Sequence, residues 1–418
     1  MTQKISSESS ILPEQSNLWA MKKLSFSDEA ARLVQKEVPT TRIHYADTIE
    51  GVWEGIAGGD YGVVPVENSS KGPVWKHLNQ LRDNSSEAIC GEIELHVRMC
   101  LGVLPNTDLQ DISYVHSHPM GIAQCGDALA ELGLTDKNHV IEAVTADAPQ
   151  HVAELKDPHR ICLASRLAIE EWGLNVLRED MANQKGVGNI TQFYLMHMNG
   201  GVDLPDIQKE HHAAIVIPEK DGIGILHNIL GIIRNAGTDL RSLHSQKIDG
   251  GDGYRFFMEM DSCRDGTAFE LMRRKLENCS AVRAMQWLGS WNHHIASPSI
   301  GMGNSAYERA DRIVQGSELD TSRRYHCVEV IPDNYPGVLF DITGDIATSD
   351  VNLTSIHSRP IGPKTYAFLL EMDASKTSPS RMNILFNQLR YNSHIRNVVW
   401  ICSTDSLKEL QALEPVEP

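Results

Sequence analysis

One segment of this chain occurs twice, and that repetition constrains its fold more than any other feature. The stretch 224–247 (GILHNILGIIRNAGTDLRSLHSQK) returns without a gap as 337–360 (GVLFDITGDIATSDVNLTSIHSRP). Gly224/Gly337, Leu240/Leu353, His244/His357 and Ser245/Ser358 are each 113 positions apart. Repetition at domain-sized spacing means two copies of one folding unit. The chain therefore divides into an unrepeated front half and a duplicated back half, which separates chemistry from control. At 418 residues it suggests roughly three domains rather than one core.

Each copy reads as a βαββαβ unit. In the first, Ala213 to Pro218 alternates as a strand, and the helix of Gly224 to Asn235 places Leu226, Ile229, Leu230 and Ile233 on one face. Gly237 stops that helix as a C-terminal cap. Strands over Leu240 to Ile248 and Tyr254 to Met260, a helix over Gly266 to Asn278 and a strand over Val282 to Leu288 complete it. The copies are expected at 208–295 and 323–406, joined by a linker over 296–322 with Gly301, Gly303 and Ser305. In front, 19–200 alternates helices with short apolar strands such as Tyr61 to Val66, the pattern of an α/β sheet. Residues 1–18 read as a disordered polar arm.

Charge narrows the partners. Lys plus Arg number 38 against 55 Asp plus Glu, a net of −17, so nucleic acid or an acidic membrane would be repelled. A small-molecule substrate or a protein fits better. No apolar run approaches the ~20 residues of a membrane span, and the polar start MTQKISSESSILPEQSN lacks the apolar core of a secretory signal. A cytoplasmic protein is expected. The eight cysteines lack ligand spacing and read as reduced core thiols. The adjacent His211-His212 and His293-His294 would face opposite sides of a strand, so a shared metal is not expected; no cofactor is expected either.

Four segments of the front half carry polar chemistry. Tyr61-Gly62-Val63-Val64-Pro65-Val66 leads into Glu67-Asn68-Ser69-Ser70, a strand followed by a loop that can offer amide and hydroxyl donors to carboxylates. Ser117-His118-Pro119 reads as a cap with Pro near a helix start, and Thr145-Ala146 precedes another helix; both would gather free N–H groups for an anion. The fourth is Asn189-Ile190-Thr191-Gln192-Phe193. In this order the four resemble prephenate dehydratase, whose motifs are the Glu-Asn-Ser loop, Ser-His-Pro-Gln, Thr-Ala-Glu-Ala and Thr-Arg-Phe.

The resemblance implies a two-lobed, periplasmic-binding-protein-like catalytic domain and a lyase that converts prephenate, or arogenate, by loss of carbon dioxide and hydroxide. It implies catalytic roles for Thr191, at the leaving hydroxyl, and for Glu67 or His118 as a stronger acid behind it. Substrate contacts fall to Asn68, Ser69, Ser70, Ser117, Gln124, Thr145, Ala146, Gln192 and Phe193. Three positions depart from the pattern: Gln192 replaces Arg, Met120 replaces Gln, and Leu24-Ser25-Phe26 replaces Gly-Thr-Phe. Such changes keep open a non-aromatising prephenate decarboxylase and a non-catalytic amino-acid sensor.

The repeats resemble ACT domains, in which a Pro-Gly-Ala-Leu turn and a Glu-Ser-Arg-Pro strand end hold an amino acid. This implies an aromatic amino-acid effector at Gly337, Val338, Leu339, Asn352, Leu353, Ser358 and Arg359, with Gly224 and Leu226 in the first copy. It also implies a homodimer or homotetramer. His244 and His357 stand where that family usually has Glu.

Overall fold

A computed structural model describes residues 11–69, 72–83, 87–182, 189–198, 205–206, 208–248, 253–261, 266–297, 319–333, 337–362 and 365–406, apart from the side chains of 87, 359–362 and 365. Two compact units emerge. The first holds 1–70, 91–198 and 293–306, the second 71–90, 199–292 and 307–418.

The first unit is built of two lobes. Strand β1 (Asn17–Met21), helix α1 (Phe26–Glu37), β2 (Arg42–Ala46), α2 (Ile49–Ala57) and β3 (Tyr61–Asn68) form the first lobe. β1 begins inside the expected arm, and Leu12 is fully buried, because an apolar residue flanking a sheet gains more from packing than from solvent. After β4 (Gly72–Pro73) and α3 (Trp75–Asp83), which group with the second unit, β5 (Glu87–His96) returns to the lobe. The second lobe contains β6 (Cys100–Val103), β7 (Tyr114–Ser117), α4 (Pro119–Gln124), α5 (Gly126–Glu131), β8 (Asn138–Ile141), α6 (Asp147–Leu155), β9 (Arg160–Ala164), α7 (Arg166–Glu171) and β10 (Asn175–Arg178).

Its sheet runs β10-β6-β9-β7-β8. The chain then crosses back as β11 (Ile190–Met198), which pairs antiparallel with β3, while β1 pairs parallel with both β2 and β3. The crossing segments are tied together where Val97 N–H donates to the Asn189 carbonyl at 2.6 Å and Met181 N–H to Met99 at 2.8 Å. β11 is central, and Phe193, Tyr194, Leu195 and Met196 are all buried.

The second unit carries the two repeats. The first is β12 (His211–Pro218), α8 (Ile225–Asn235), β13 (Asp239–Lys247), β14 (Tyr254–Asp261), α9 (Gly266–Glu277) and β15 (Val282–Trp291), with β16 (His294–Ala296) following in the first unit. The second is β17 (Tyr325–Pro332), α10 (Val338–Thr348), β18 (Asn352–Gly362), β19 (Thr365–Asp373), α11 (Pro379–Tyr391) and β20 (Ile395–Thr404). Both are βαββαβ, as the repeat requires.

Leu226, Ile229, Leu230 and Ile233 bury one face of α8, each worth roughly 1.5–3 kcal/mol of transfer free energy. They share one core with Leu339, Ile342 and Ile346 of α10. The repeats pair antiparallel through β13 and β18 at His244 and His357. Ser358 Oγ accepts the Leu243 N–H at 2.9 Å and, 113 positions earlier, Ser245 Oγ accepts that of Ile356 at 2.8 Å. Seven described cysteines are free thiols; Cys263 lies outside the described residues.

Candidate active site and effector clefts

Thr191 and Asn68 lie directly opposite each other on β11 and β3, so their side chains share one face of the sheet. Asn68 Nδ2 donates to Thr191 Oγ1 at 2.9 Å, and lies 2.6 Å from Asn189 Oδ1 and 3.2 Å from the Ile190 carbonyl. With its oxygen accepting, the Thr191 hydroxyl keeps its proton for another acceptor, and no described residue takes it. Asn189 Nδ2 in turn donates to Gln124 Oε1 at 3.2 Å. Three expected residues, Asn68, Thr191 and Gln124, are thereby joined across the two lobes. The joining residue, Asn189, is one that motif reading passed over.

Glu67 is brought elsewhere. It lies opposite Gln192 in the same register, and successive strand residues alternate faces, so both point away from Thr191. Gln192 Nε2 donates to the buried Glu92 carboxylate at 3.0 Å. Glu67, expected as an acid behind Thr191, and Gln192, expected at the substrate, therefore lie on the sheet face opposite Thr191. Phe193 is core, 2% exposed.

Two serines are also structural. Ser69 Oγ accepts the Ile190 N–H at 2.9 Å, and Ser117 Oγ donates to the Leu163 carbonyl at 2.9 Å, both buried. A buried hydroxyl spends itself on the nearest backbone group. Ser70 lies outside the described residues.

The cap of α4 is His118 rather than Ser117. Its Nδ1 accepts the Met120 N–H at 3.2 Å, and burial pushes its pKa below the ordinary value, which favours the neutral ring. α6 starts after Ala146 with no side-chain cap; the Asp147 N–H donates to the Val144 carbonyl at 3.0 Å, and the N–H groups that follow it keep their capacity for an anion. Thr145 is half-buried at that turn. Lys22 Nζ, at the end of β1, reaches Asp147 on the first turn of α6 at 2.5 Å. This cation beside an open helix start was missed because nothing in its local sequence links it to residue 147.

Leu24, in the turn after Lys22, takes φ +68°, a left-handed backbone that costs a branched side chain roughly 1–2 kcal/mol. It is 7% exposed and packs with Ala146 and Val152.

The expected effector residues divide between two clefts related by the repeat. In one, Gly337, Val338 and Leu339 face Arg234 and Leu240. In the other, Gly224 and Leu226 face Ala347 and Leu353. Gly337 (φ +95°) and Gly224 (φ +80°) both need the left-handed conformation, but a Cβ at 337 would lie 2.8 Å from the Arg234 side chain while one at 224 has nothing nearer than 3.7 Å.

Arg234 stands where the other cleft has Ala347, pairs with Asp341 at 3.3 Å and lies 4.8 Å above the Phe340 ring. Leu353 is thus separated from Gly337. Ser358, 1% exposed, belongs to the seam between repeats rather than to a cleft, and Asn352 lines neither. The side chain of Arg359 lies outside the described residues.

Comparison with known proteins places this geometry. Residues 22–200 match the family model described as prephenate dehydratase. The bifunctional chorismate mutase/prephenate dehydratase of Escherichia coli (strain K12) is 29% identical over 262 residues, covering 63% of this chain and 65% of that protein. Arogenate dehydratase 2 of Petunia hybrida is 30% identical over 208 residues, 47% of this chain and 50% of that one. The chain thus spans less than two thirds of the length of these relatives.

Among solved structures, the prephenate dehydratase in complex with L-Phe from Arthrobacter aurescens aligns with TM-score 0.57 at 23% identity, over 71% of this chain and 96% of that one. That likeness shows the fold alone: a periplasmic-binding-protein-like α/β domain together with βαββαβ units. Through residues 22–200, the chain is similar to the prephenate dehydratase family.

Proposed function

We propose that this protein is a lyase that converts prephenate, or its amino analogue arogenate, by decarboxylation and loss of the ring hydroxyl. The carrying observation is the Asn68 Nδ2 to Thr191 Oγ1 hydrogen bond of 2.9 Å. It leaves Thr191 a donor for the departing oxygen. Aromatisation drives the reaction, so the protein has mainly to orient the ring, hold two carboxylates and help the hydroxyl leave. The uncapped start of α6 with Thr145, Ala146 and Lys22 suits one carboxylate. Gln124 offers an amide from the second lobe, and neutral His118 keeps an N–H donor at Nε2.

Incubation with prephenate, followed by ultraviolet spectrum and product mass, tests the reading. Phenylpyruvate supports it. A product that has lost carbon dioxide and kept its hydroxyl establishes the non-aromatising decarboxylase instead, and no turnover leaves a sensor.

The same reading assigns an aromatic amino acid to the clefts between the repeats, with L-Phe the first candidate because the Arthrobacter relative was solved with it. The cleft of Gly337 is the stronger site because Arg234 supplies a cation that Ala347 does not. The regulatory pair is complete within one chain, so a homodimer or homotetramer would add to it rather than create it. Ultracentrifugation measures that assembly, and fractionation tests the cytoplasmic placement.

A further inference from the structure

Asn189 opens the fourth motif segment but receives no role from it. It is 5% exposed and lies on the segment that carries the chain from the second lobe back to the first, where its carbonyl accepts the Val97 N–H of the outgoing segment at 2.6 Å. Its side chain is used at both ends. Oδ1 accepts from Asn68 at 2.6 Å, and Nδ2 donates to Gln124 Oε1 at 3.2 Å. Only a carboxamide has an acceptor and a donor so placed; a carboxylate has no donor and an aliphatic chain has neither.

Each bond fixes a further group. The Asn68 amide, anchored by Asn189, also donates to Thr191 and so orients its hydroxyl. Gln124, whose Oε1 is occupied by Asn189, keeps its Nε2 hydrogens for a ligand.

We propose that Asn189 is the positioning residue that aims donors from both lobes at one substrate: the Thr191 hydroxyl through Asn68, and the Gln124 amide directly. The clasp sits where two-lobed proteins hinge, so it sets the spacing of these donors at the point where lobe motion would change it most. The inference rests on the dehydratase reading for its kinetic part and on the hydrogen bonds alone for its structural part.

The test uses the full chain with Asn189→Ala, Asn189→Asp, Asn68→Ala and the Asn68→Ala/Asn189→Ala pair. Kinetics with prephenate and amide hydrogen exchange over 62–69 and 119–125 are the readouts. Asn189→Ala should lower kcat at least tenfold with KM changed less than threefold, speed exchange in both segments and leave the unfolding midpoint in place. The double variant should be no worse than Asn68→Ala alone, since both act through one network. Asn189→Asp, unable to donate while ionised, should gain activity as acid protonates the carboxyl, a rise absent from the parent; it carries the test if Asn189→Ala does not fold.

Kinetics of Asn189→Ala within twofold of the parent, or exchange unchanged in both segments, overturns the proposal. A parent inactive on prephenate sinks the dehydratase reading instead, and the exchange data still decide the clasp.

Discussion

His244 and His357 face each other across the seam of the two repeats, their ring centroids 5.9 Å apart, and Trp75 meets both rings edge-on at 6.2 and 5.9 Å. Trp75 opens α3, seven residues after Asn68 in sequence. The first residue of α3 thus lies at the seam of the two repeats, within the second unit. Removing the ring costs two aromatic contacts of ~0.5–1.5 kcal/mol each plus apolar burial. Trp75→Ala is expected to destabilise the second unit by about 2–3 kcal/mol, read as an earlier unfolding midpoint in denaturant; an unchanged midpoint would show that the seam does not depend on Trp75.

Thr191→Ala should lower kcat on prephenate by more than tenfold with little change in stability, because a half-buried hydroxyl is a small packing term. Steady-state kinetics beside a thermal melt separate the two effects.

Gln192→Arg should act on stability rather than turnover. The new guanidinium would meet Glu92 on the face opposite Thr191, a charge-assisted contact, so kcat and KM are expected within threefold of the parent. A product change or a large gain in substrate affinity would place position 192 at the substrate after all.

Leu24→Gly pits two terms against each other. Relief of the left-handed backbone returns roughly 1–2 kcal/mol, but loss of a buried leucine side chain costs about 2–5 kcal/mol. Burial wins, and the variant should be less stable by about 1–3 kcal/mol in urea unfolding; a more stable variant would mean that the side chain packs poorly.

Acid should loosen the second unit. His212 is fully buried on Phe269, with centroids 4.1 Å apart, and its counterpart His326 meets the edge of Trp400. Burial pushes the His212 pKa down from 6.5 to about 4 and lowers that of His326 as well. The unfolded chain then binds more protons than the folded one between these values. The stabilisation is complete above pH ~6.5 and is lost as pH falls toward about 4, on the order of 2–3 kcal/mol for His212. Unfolding midpoints followed from pH 7 to 4 should drop, and His212→Gln should flatten the slope.

The repeated pattern by itself determined that the back half holds two like βαββαβ units, because burial of one helix face needs only local periodicity, legible in Leu226, Ile229, Leu230 and Ile233. β11, Ile190–Met198, was legible for the same reason. The motif order likewise pointed to Asn68, Thr191 and Gln124 together. What each polar group does with its hydrogen bonds was decided only by tertiary structure. Ser358 bonds to a backbone group 115 residues away and Asn68 to a side chain 121 residues away. A hydroxyl quoted in a motif can satisfy either a ligand or the nearest backbone, and the approach of distant strands selects between them. The same approach turned Glu67 away from Thr191, separated Leu353 from Gly337 and set Asn189 between the lobes.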